Sequence, residues 1–187
     1  MIELDELLQQ VWPLAQTHVL ATEEIPIQQA LGRVLSQPVY STLNVPQHDN
    51  SSMDGYAVNT GDFPSLKPFV VSQRIATGQS PQALEPGTVA RIFTGAPIPK
   101  GADAVVMQED AELEEGGLVS FKGAPATGQW IRRAGEDVAE GQVVLPSGLV
   151  LSPIQIGLLA SIGVEAVRVF RRLKVGVLVT GSELVNP

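Results

Sequence analysis

The chain has 187 residues, of which 44% are hydrophobic and 17% charged, a composition typical of a folded globular protein with an apolar core. Twelve basic residues stand against twenty acidic ones, and the formal net charge is -8. Because nucleic-acid binding requires a basic surface, this balance argues against a nucleic-acid partner. The chain contains no cysteine, which excludes disulfides, thiolate metal ligands and cysteine nucleophiles.

The first residues of the chain are acidic and lack the apolar run of a signal peptide. No segment approaches the ~18 consecutive apolar residues that would span a bilayer, so we expect no membrane partner. These features and the absence of cysteine predict a soluble, cytoplasmic protein.

Two helices are predicted at the start of the chain. Pro13 is expected to end or kink the first, because proline supplies no N–H and clashes with the preceding turn. The second is predicted from Pro26, which suits a first helical position, through Leu35, and Pro38 prevents its continuation. The apolar residues that give the first helix its spacing are Leu4, Leu7, Leu8, Val11 and Leu14.

The segment from Pro38 to Gly141 has a different sequence pattern, in which short β-prone runs alternate with glycine and proline. Turns are expected at 86–87 and 115–117. Several short strands at this spacing predict a compact β-barrel or sandwich. The β-prone runs are 56–58, 68–71, 88–93, 104–107 and 118–121.

After Gly141 a third pattern begins. A helix is predicted from Pro153, with Ser152 as its N-cap and Gly163 as its terminator. Strands are predicted at 143–145, 149–151 and 164–169.

These patterns predict an α+β chain that is mostly β. A β-barrel or sandwich-like domain at 44–140 is inserted into a discontinuous helix-containing domain formed by 1–43 and 141–170. Residues 173–184 are predicted to form a buried strand followed by a glycine turn, which is how an α/β domain usually begins. We therefore expect 171–187 to be the start of a truncated α/β domain.

The richest motif is the polar loop at 49–58, where two carboxylates lie five residues apart. Asp49 and Asp54 flank hydroxyl and amide side chains, and Gly55 permits a tight turn. One interpretation is an Asx-rich turn that begins a strand. The other is a loop that handles a hard cation or an oxyanion, since Mg²⁺ is held by one or two carboxylates together with substrate phosphates.

A second motif lies at 93–105, where a strand ends in a turn rich in glycine and proline. The hydroxyl of Thr94 and the backbone N–H groups of this turn could bind an oxyanion. A rigid connection between two strands is the alternative.

A third motif, at 130–138, packs two arginines and two acids around a glycine. The planar guanidinium of Arg132 or Arg133 matches phosphate-like oxyanions, and the carboxylates of Glu136 and Asp137 can hold a metal. A surface loop of ion pairs is the alternative.

Taken in order, these segments resemble the blocks of one family, the molybdopterin molybdenumtransferases. That family includes the bacterial MoeA proteins and the E domains of proteins such as gephyrin. The resemblance extends over essentially the whole chain. The matching segments are 30–35, 45–57, 91–106, 131–137 and 180–184.

The resemblance implies that the complete protein inserts molybdate into adenylylated molybdopterin and releases AMP. It implies a divalent cation, usually Mg²⁺, and a homodimer with several domains per subunit. The implied partners are therefore adenylylated molybdopterin and molybdate. Because the family's pterin-binding and C-terminal β domains are missing after Pro187, we expect this chain to be a fragment that is inactive alone.

The positions that match the family's site are Asp54, Thr94, Arg132, Asp137 and Glu183. The resemblance implies catalytic and metal-binding roles for Asp54, Asp137 and Glu183. Thr94, Arg132 and Ser52 are the implied substrate-binding residues. Ser52 departs from the alanine usual in the family.

Two other functions stay open at this point. One is a non-catalytic scaffolding or interaction module, as in the gephyrin branch of the family. The other is a stand-alone β domain whose acidic loops bind a divalent metal.

Overall fold

The computed structural model describes residues 3–16, 20–65 and 68–177. Contacts within the chain divide it into two units. Residues 40–142 form the second unit, and the described residues before and after them form the first. Within the described residues there are two α-helices and twelve short strands, which confirms the mostly-β prediction.

The first unit is built on two antiparallel strands and a helix. Strand β1 (Thr22–Pro26) pairs with β12 (Ala166–Phe170), so that Thr22 lies opposite Phe170. Helix α2 (Pro153–Ser161) contributes Leu159 to the core of this unit. The buried core residues are Ile27, Ala30, Leu35, Leu145, Leu151, Leu159, Val167 and Val169.

The predicted start of α2 is confirmed. Ser152 is the N-cap and Pro153 occupies the first turn. The side-chain oxygen Oε1 of Gln155 accepts the backbone N–H of Ser152 at 3.0 Å and also its hydroxyl hydrogen. These bonds satisfy groups that would otherwise be left unpaired at a helix start. Gly163, at φ 75°, follows the helix in the left-handed conformation that favours glycine.

The first predicted helix is present but does not end at proline. Helix α1 (Leu4–Gln16) continues past Pro13 to Gln16. Of the two outcomes predicted for Pro13, an end or a kink, the end is therefore wrong, since the missing N–H of one proline removes only one backbone hydrogen bond. The described residues contain no helix long and apolar enough to cross a bilayer.

The second predicted helix, from Pro26 to Leu35, is wrong. Pro26 is the last residue of β1, and a short 3₁₀ turn (Ile27–Gln29) follows it. Gly32 has φ 71°, which no right-handed helix contains. The N–H of Leu35 bonds to the carbonyl of Leu149 at 2.9 Å. Pairing with a distant segment has overridden the local helical spacing.

The second unit contains a six-stranded mixed sheet in the order β7-β4-β6-β5-β9-β8. Strands β5 and β6 are parallel, and the other neighbours are antiparallel. The strands are β4 (Gly55–Val58), β5 (Phe69–Ile75), β6 (Thr88–Ile92), β7 (Ala104–Met107), β8 (Ala111–Leu113) and β9 (Leu118–Phe121).

Both faces of this sheet are buried, since alternate residues of a strand enter opposite cores. Tyr56 and Val58 of β4 lie in one core, which also holds aromatic rings. Ala57 lies in the other, with Ile75 and Ile92. The Phe63 and Phe69 ring centroids are 5.3 Å apart in the first of these cores. The five β-prone runs predicted between 56 and 121 all contain a strand.

Two short pairs complete the sheets. Strand β3 (Asn50–Ser51) pairs with β10 (Ile131–Arg132), and β2 (Val39–Tyr40) pairs with β11 (Val143–Leu145). Strand β11 was predicted from the sequence. Strands β2, β3 and β10 are too short or too polar to be recognised from the sequence.

Two predicted strands are wrong in the described residues. The segment 149–151 makes an isolated bridge between Val150 and Val34 rather than a strand. The segment 173–177 has no strand, and the side chains of Val175 and Val177 are 82% and 84% exposed. A strand requires a neighbour for its backbone hydrogen bonds, and none among the described residues pairs with 173–177. The rest of that predicted strand lies outside the described residues.

Candidate active site

Asp54 and Thr94 come together because β4 and β6 are antiparallel neighbours. Gly55 lies opposite Ile92, so the residue before β4 meets the residues after β6. Oδ1 of Asp54 accepts the backbone N–H of Thr94 at 2.7 Å and its hydroxyl at 2.8 Å. The structure thus joins two of the predicted site residues directly.

These bonds stabilise the ionised form of Asp54. The backbone N–H of Thr94 contributes most to lowering the pKa of this carboxyl below its usual value, followed by the Thr94 hydroxyl. Partial burial opposes these two bonds by raising the pKa, and the charge of Arg91 makes the smallest contribution, which lowers it. Asp54 is therefore a carboxylate at neutral pH, and Oδ2 accepts no hydrogen bond from the described residues.

Gly55 is required by the close approach of β7. An added Cβ at this position would lie 2.0 Å from the carbonyl oxygen of Val106, well inside contact distance. The Asp54 carbonyl accepts the N–H of Gln108 at 3.0 Å, which fixes the same turn from the other side. Glycine here lets the Asp54 loop lie directly against the sheet.

The hydroxyl of Ser51 stabilises the loop between Ser51 and Asp54. Ser51 is 1% exposed, and its Oγ donates to the carbonyl of Met53 at 2.6 Å. The Ser51 carbonyl accepts the N–H of Gly95 at 2.8 Å, and the N–H of Ser52 bonds to the carbonyl of Trp130 at 2.9 Å. Ser52, a predicted substrate-binding residue, is therefore placed between the second and third motifs.

The third motif is attached through Asp49. This carboxylate accepts Nη1 of Arg133 at 2.6 Å and the backbone N–H of Ala134 at 2.8 Å. The Ala134 N–H is the largest cause of the lowered pKa of Asp49, and Arg133 adds to it. We call the linked segments 49–54, 93–97 and 130–137 the three-loop junction.

Arg132 and Asp137 form an ion pair within this junction. Nη2 of Arg132 lies 2.7 Å from both carboxylate oxygens of Asp137. The hydrogen bond and charge of Asp137 raise the pKa of the Arg132 guanidinium above its ordinary value. The backbone N–H of Asp137 bonds to the carbonyl of Val45 at 2.9 Å. Glu183, the remaining predicted carboxylate, lies outside the described residues.

The carboxylates of the junction differ in their fitness to hold Mg²⁺. Among the described residues, one oxygen of Asp54 has no protein donor, whereas both oxygens of Asp137 bond to Arg132. In the described part of the chain no three acidic or histidine side chains cluster as a metal site. Asp54 therefore fits as a single ligand to a cation whose other ligands would be water and substrate oxygens.

Sequence reasoning did not single out the residues around Phe93. The guanidinium carbon of Arg91 lies 4.7 Å from the centroid of the Phe93 ring, and that of Arg74 lies 4.5 Å from it. The signal available in the sequence was a pair of arginines in strands that otherwise read as apolar or polar uncharged. Their convergence on one ring depends on strand register, which the sequence does not reveal.

Comparison with known proteins gives a consistent result along the chain. Residues 2–163 match the family model described as the MoeA N-terminal region, domains I and II. The chain is 46% identical over 166 residues to a molybdopterin molybdenumtransferase of Haemophilus influenzae, covering 88% of this chain and 41% of that relative. It is 40% identical over 171 residues to molybdopterin molybdenumtransferase 2 of Mycobacterium tuberculosis, covering 87% and 42%.

A solved structure agrees with these relatives. The molybdopterin biosynthesis MoeA protein from Pyrococcus horikoshii superposes with a TM-score of 0.81 at 31% identity. The match covers 88% of this chain and 44% of that one. The chain thus spans about two fifths of the length of the relatives it matches.

Proposed function

We propose, from the premise that the chain belongs to the family of the MoeA N-terminal region, that it takes part in molybdenum cofactor biosynthesis. Its role is to supply the three-loop junction to a site that inserts molybdate into adenylylated molybdopterin and releases AMP. The observation that carries this proposal is the ionised Asp54, held by Thr94 with one oxygen left available.

The chemistry of the junction suits oxyanions and a cation together. Asp54 would place Mg²⁺ or orient a water, since its free oxygen is a hard ligand. Arg132 would offset the negative charge of molybdate or phosphate, and its pair with Asp137 holds the guanidinium in one orientation. Bound Mg²⁺ would supply electrophilic assistance to the phosphate or molybdate oxygens.

We propose further that the 187 residues do not turn over substrate alone. The chain spans about two fifths of its curated relatives, and the junction supplies few ligands by itself. Adenylylated molybdopterin mixed with the purified chain should release no AMP at an enzyme-like rate. Release at such a rate would contradict this part of the proposal.

The first test of function uses a chimaera. Residues 2–163 of this chain would replace the matching region of the Haemophilus influenzae relative, and the chimaera would be assayed for AMP release from adenylylated molybdopterin with molybdate. We expect Asp54→Asn to lower kcat at least about 100-fold, because a catalytic carboxylate typically contributes that much. Asp110→Asn, an exposed carboxylate outside the junction, is the matched control and should have no effect. Equal rates for the two variants would refute the proposed role of Asp54.

An interaction role is a second candidate, favoured by the surface of α1. Several of its apolar residues are exposed to solvent: Leu4 is 68% exposed, Trp12 67% and Leu8 52%. A helix with an exposed apolar stripe is typical of a surface that contacts another protein. The resemblance to MoeA proteins implies a homodimer, and α1 is the surface that we propose for it.

Sedimentation equilibrium of the chain tests this second candidate. A dimer should form, and Trp12→Glu should weaken it at least about tenfold, since a buried charge is costly at an interface core. Gln10→Glu places the same charge on a polar position of α1 and should leave the dissociation constant nearly unchanged. A chain that is monomeric throughout, or equal effects of both variants, would exclude α1 as the dimer surface.

A further inference from the structure

Two arginines lie side by side on the six-stranded sheet. Arg74 of β5 and Arg91 of β6 are register partners in the parallel pair, and Tyr56 of β4 lies opposite Arg91 on the other side. Register partners project from the same face of a sheet. The two arginines therefore form a like-charged cross-strand pair, an arrangement that is destabilising unless other contacts offset it.

The Phe93 ring offsets part of this repulsion. The guanidinium carbons of Arg74 and Arg91 lie 4.5 and 4.7 Å from its centroid, within the range of cation–π attraction. Arg91 also lies 5.2 Å from the centroid of Tyr56. One aromatic ring thus holds two cations that would otherwise separate.

The remaining contacts of Arg91 are with neutral oxygens. Its Nη1 donates to the carbonyl of Gly55 at 2.8 Å, and its Nη2 donates to Oε1 of Gln108 at 2.6 Å. Gly55 follows Asp54 in the chain, so Arg91 is fixed at the edge of the Asp54 loop. Arg74 is exposed, and its side chain makes no hydrogen bond or ion pair with the residues that the structure describes.

Neither Arg74 nor Arg91 has a carboxylate within ion-pair distance among the described residues, although the charge of Arg91 contributes to the lowered pKa of Asp54. The chain carries a net charge of -8, yet within the described ranges neither Arg74 nor Arg91 forms an ion pair. The arginines that do so there are Arg33, Arg132, Arg133, Arg168 and Arg171. Two adjacent guanidinium groups held by rings and neutral oxygens keep their charge available to an external anion.

We propose that Arg74 and Arg91, held on the Phe93 ring, form a binding subsite for a tetrahedral oxyanion next to Asp54 and Thr94. The shared ligand chemistry is a dianionic tetrahedral group, either the phosphate of a nucleotide or a free oxometalate. Two guanidinium groups suit such a group because each offers several N–H donors to its oxygens. The subsite rests on the proposed function only for the identity of its physiological ligand.

The test measures binding of inorganic phosphate, sodium molybdate and AMP to the complete 187-residue chain by isothermal titration calorimetry, at constant ionic strength set with chloride. We expect binding of at least one probe, with a rise in melting temperature that chloride alone does not give. Stronger binding of AMP would identify a phosphate ester as the preferred source, and stronger binding of molybdate would identify an oxometalate. No binding of any probe beyond that of chloride would overturn the proposal.

Variants separate the subsite from general electrostatic attraction. Arg74→Gln should weaken binding about tenfold, the loss expected from one charge-assisted hydrogen bond. It should also raise the melting temperature in the absence of anion, because it relieves the cross-strand repulsion. Arg168→Gln removes the same charge from the first unit, where Arg168 lies 3.7 Å from Glu24, and should leave the affinity unchanged.

Equal affinities for Arg74→Gln and Arg168→Gln would refute the subsite. Phe93→Leu keeps both cations but removes the ring that holds them, and should also weaken binding. The subsite can fail while Asp54→Asn still abolishes turnover in the chimaera, which would leave the proposed function intact. Conversely, if phosphate binds at Arg74 but Asp54→Asn does not affect turnover, the subsite stands and the proposed function fails.

Discussion

The core of the first unit and the three-loop junction of the second are held together by different forces. In the first unit, Leu35, Leu159 and Val169 are all 0% exposed and pack into one apolar cluster. In the junction, the links are hydrogen bonds from backbone N–H groups to Asp49 and Asp54 near the surface. Apolar burial is non-directional, whereas each of these polar bonds fixes one group relative to another.

This difference explains why function is proposed for the junction and not for the first core. A packed cluster tolerates exchange of similar apolar side chains with little change of shape. A carboxylate held by a single N–H and a single hydroxyl has a defined position and a defined charge state. The junction therefore holds its polar groups in the defined positions that oxyanion chemistry requires. Substitutions at specific backbone positions are expected to disrupt it most.

The largest effect is expected at Gly55, the first residue of β4, which directly follows the Asp54 loop of the junction. Gly55→Ala would place a Cβ 2.0 Å from the Val106 carbonyl oxygen, so β4 and β7 would have to separate. We expect a loss of about 3–5 kcal/mol in the free energy of unfolding, measured by urea denaturation. Gly32→Ala in the first unit is the matched control. Gly32 has φ 71° but no neighbour within 4 Å, so only the conformational cost of about 1 kcal/mol applies. Similar losses at both positions would show that the tight approach at Gly55 is unimportant.

Strands with strong local signals could be predicted from the sequence. The runs that became β4, β6, β7 and β9 are rich in β-branched or aromatic residues, and β-propensity reflects burial on a pleated surface. The start of α2 was predicted because Ser152 and Pro153 act locally. The local sequence of these elements is therefore sufficient to predict them.

Elements that depend on distant partners could not be predicted. Strand β1 contains two glutamates and a proline, and it is a strand because Thr22–Pro26 pairs with Ala166–Phe170. The segment after it shows helical spacing, yet its backbone bonds to residues near 150. No local pattern encodes such pairing.

In the candidate site, too, some features could be predicted from the sequence and others depend on distant partners. The resemblance to a family singled out Asp54, Thr94, Arg132 and Asp137, and composition alone showed only polar turns. That Asp54 bonds to Thr94 follows from the register of β4 and β6, which places Gly55 opposite Ile92. The convergence of Arg74 and Arg91 on Phe93 depends on register too, and neither the motifs nor the family resemblance predicted it.

A smaller effect is expected at Trp130, the residue whose carbonyl holds Ser52. Trp130 has φ 56°, a left-handed conformation that is strained for a bulky residue. Trp130→Gly and Trp130→Ala both remove the side chain, but only glycine adopts this backbone without strain. We therefore expect the glycine variant to be about 1 kcal/mol more stable than the alanine variant in urea denaturation. An alanine variant of equal or greater stability would show that Trp130 is not strained and that the junction does not depend on this conformation.

The smallest effect is expected from the carboxylates themselves, through pH. The pKa of Asp49 is lower in the folded chain than in the unfolded one, because the Ala134 N–H and Arg133 stabilise its charge. The unfolded state then binds more protons, so this contribution to stability is fully present above the unfolded pKa of about 4 and is lost as the pH falls through the lower folded pKa. Since the side chain of Asp49 is 37% exposed, solvent screens its interactions in part, and the contribution should be about 0.5 kcal/mol or less.

Asp49→Asn isolates this contribution, since asparagine keeps the shape of the side chain and does not titrate. Unfolding free energies of the wild type and the variant, measured from about pH 7 down to about pH 3, should converge as the acid removes the wild-type advantage. The amide of Ala134 should lose protection from hydrogen exchange over the same range, while that of Leu151 in the first unit, bonded to the Arg33 carbonyl at 2.9 Å, should keep it. If the wild-type advantage did not shrink at all between about pH 7 and about pH 3, Asp49 would be holding the third motif by its shape and not by its charge. The contrast between the packed unit and the charged junction would then disappear at this position.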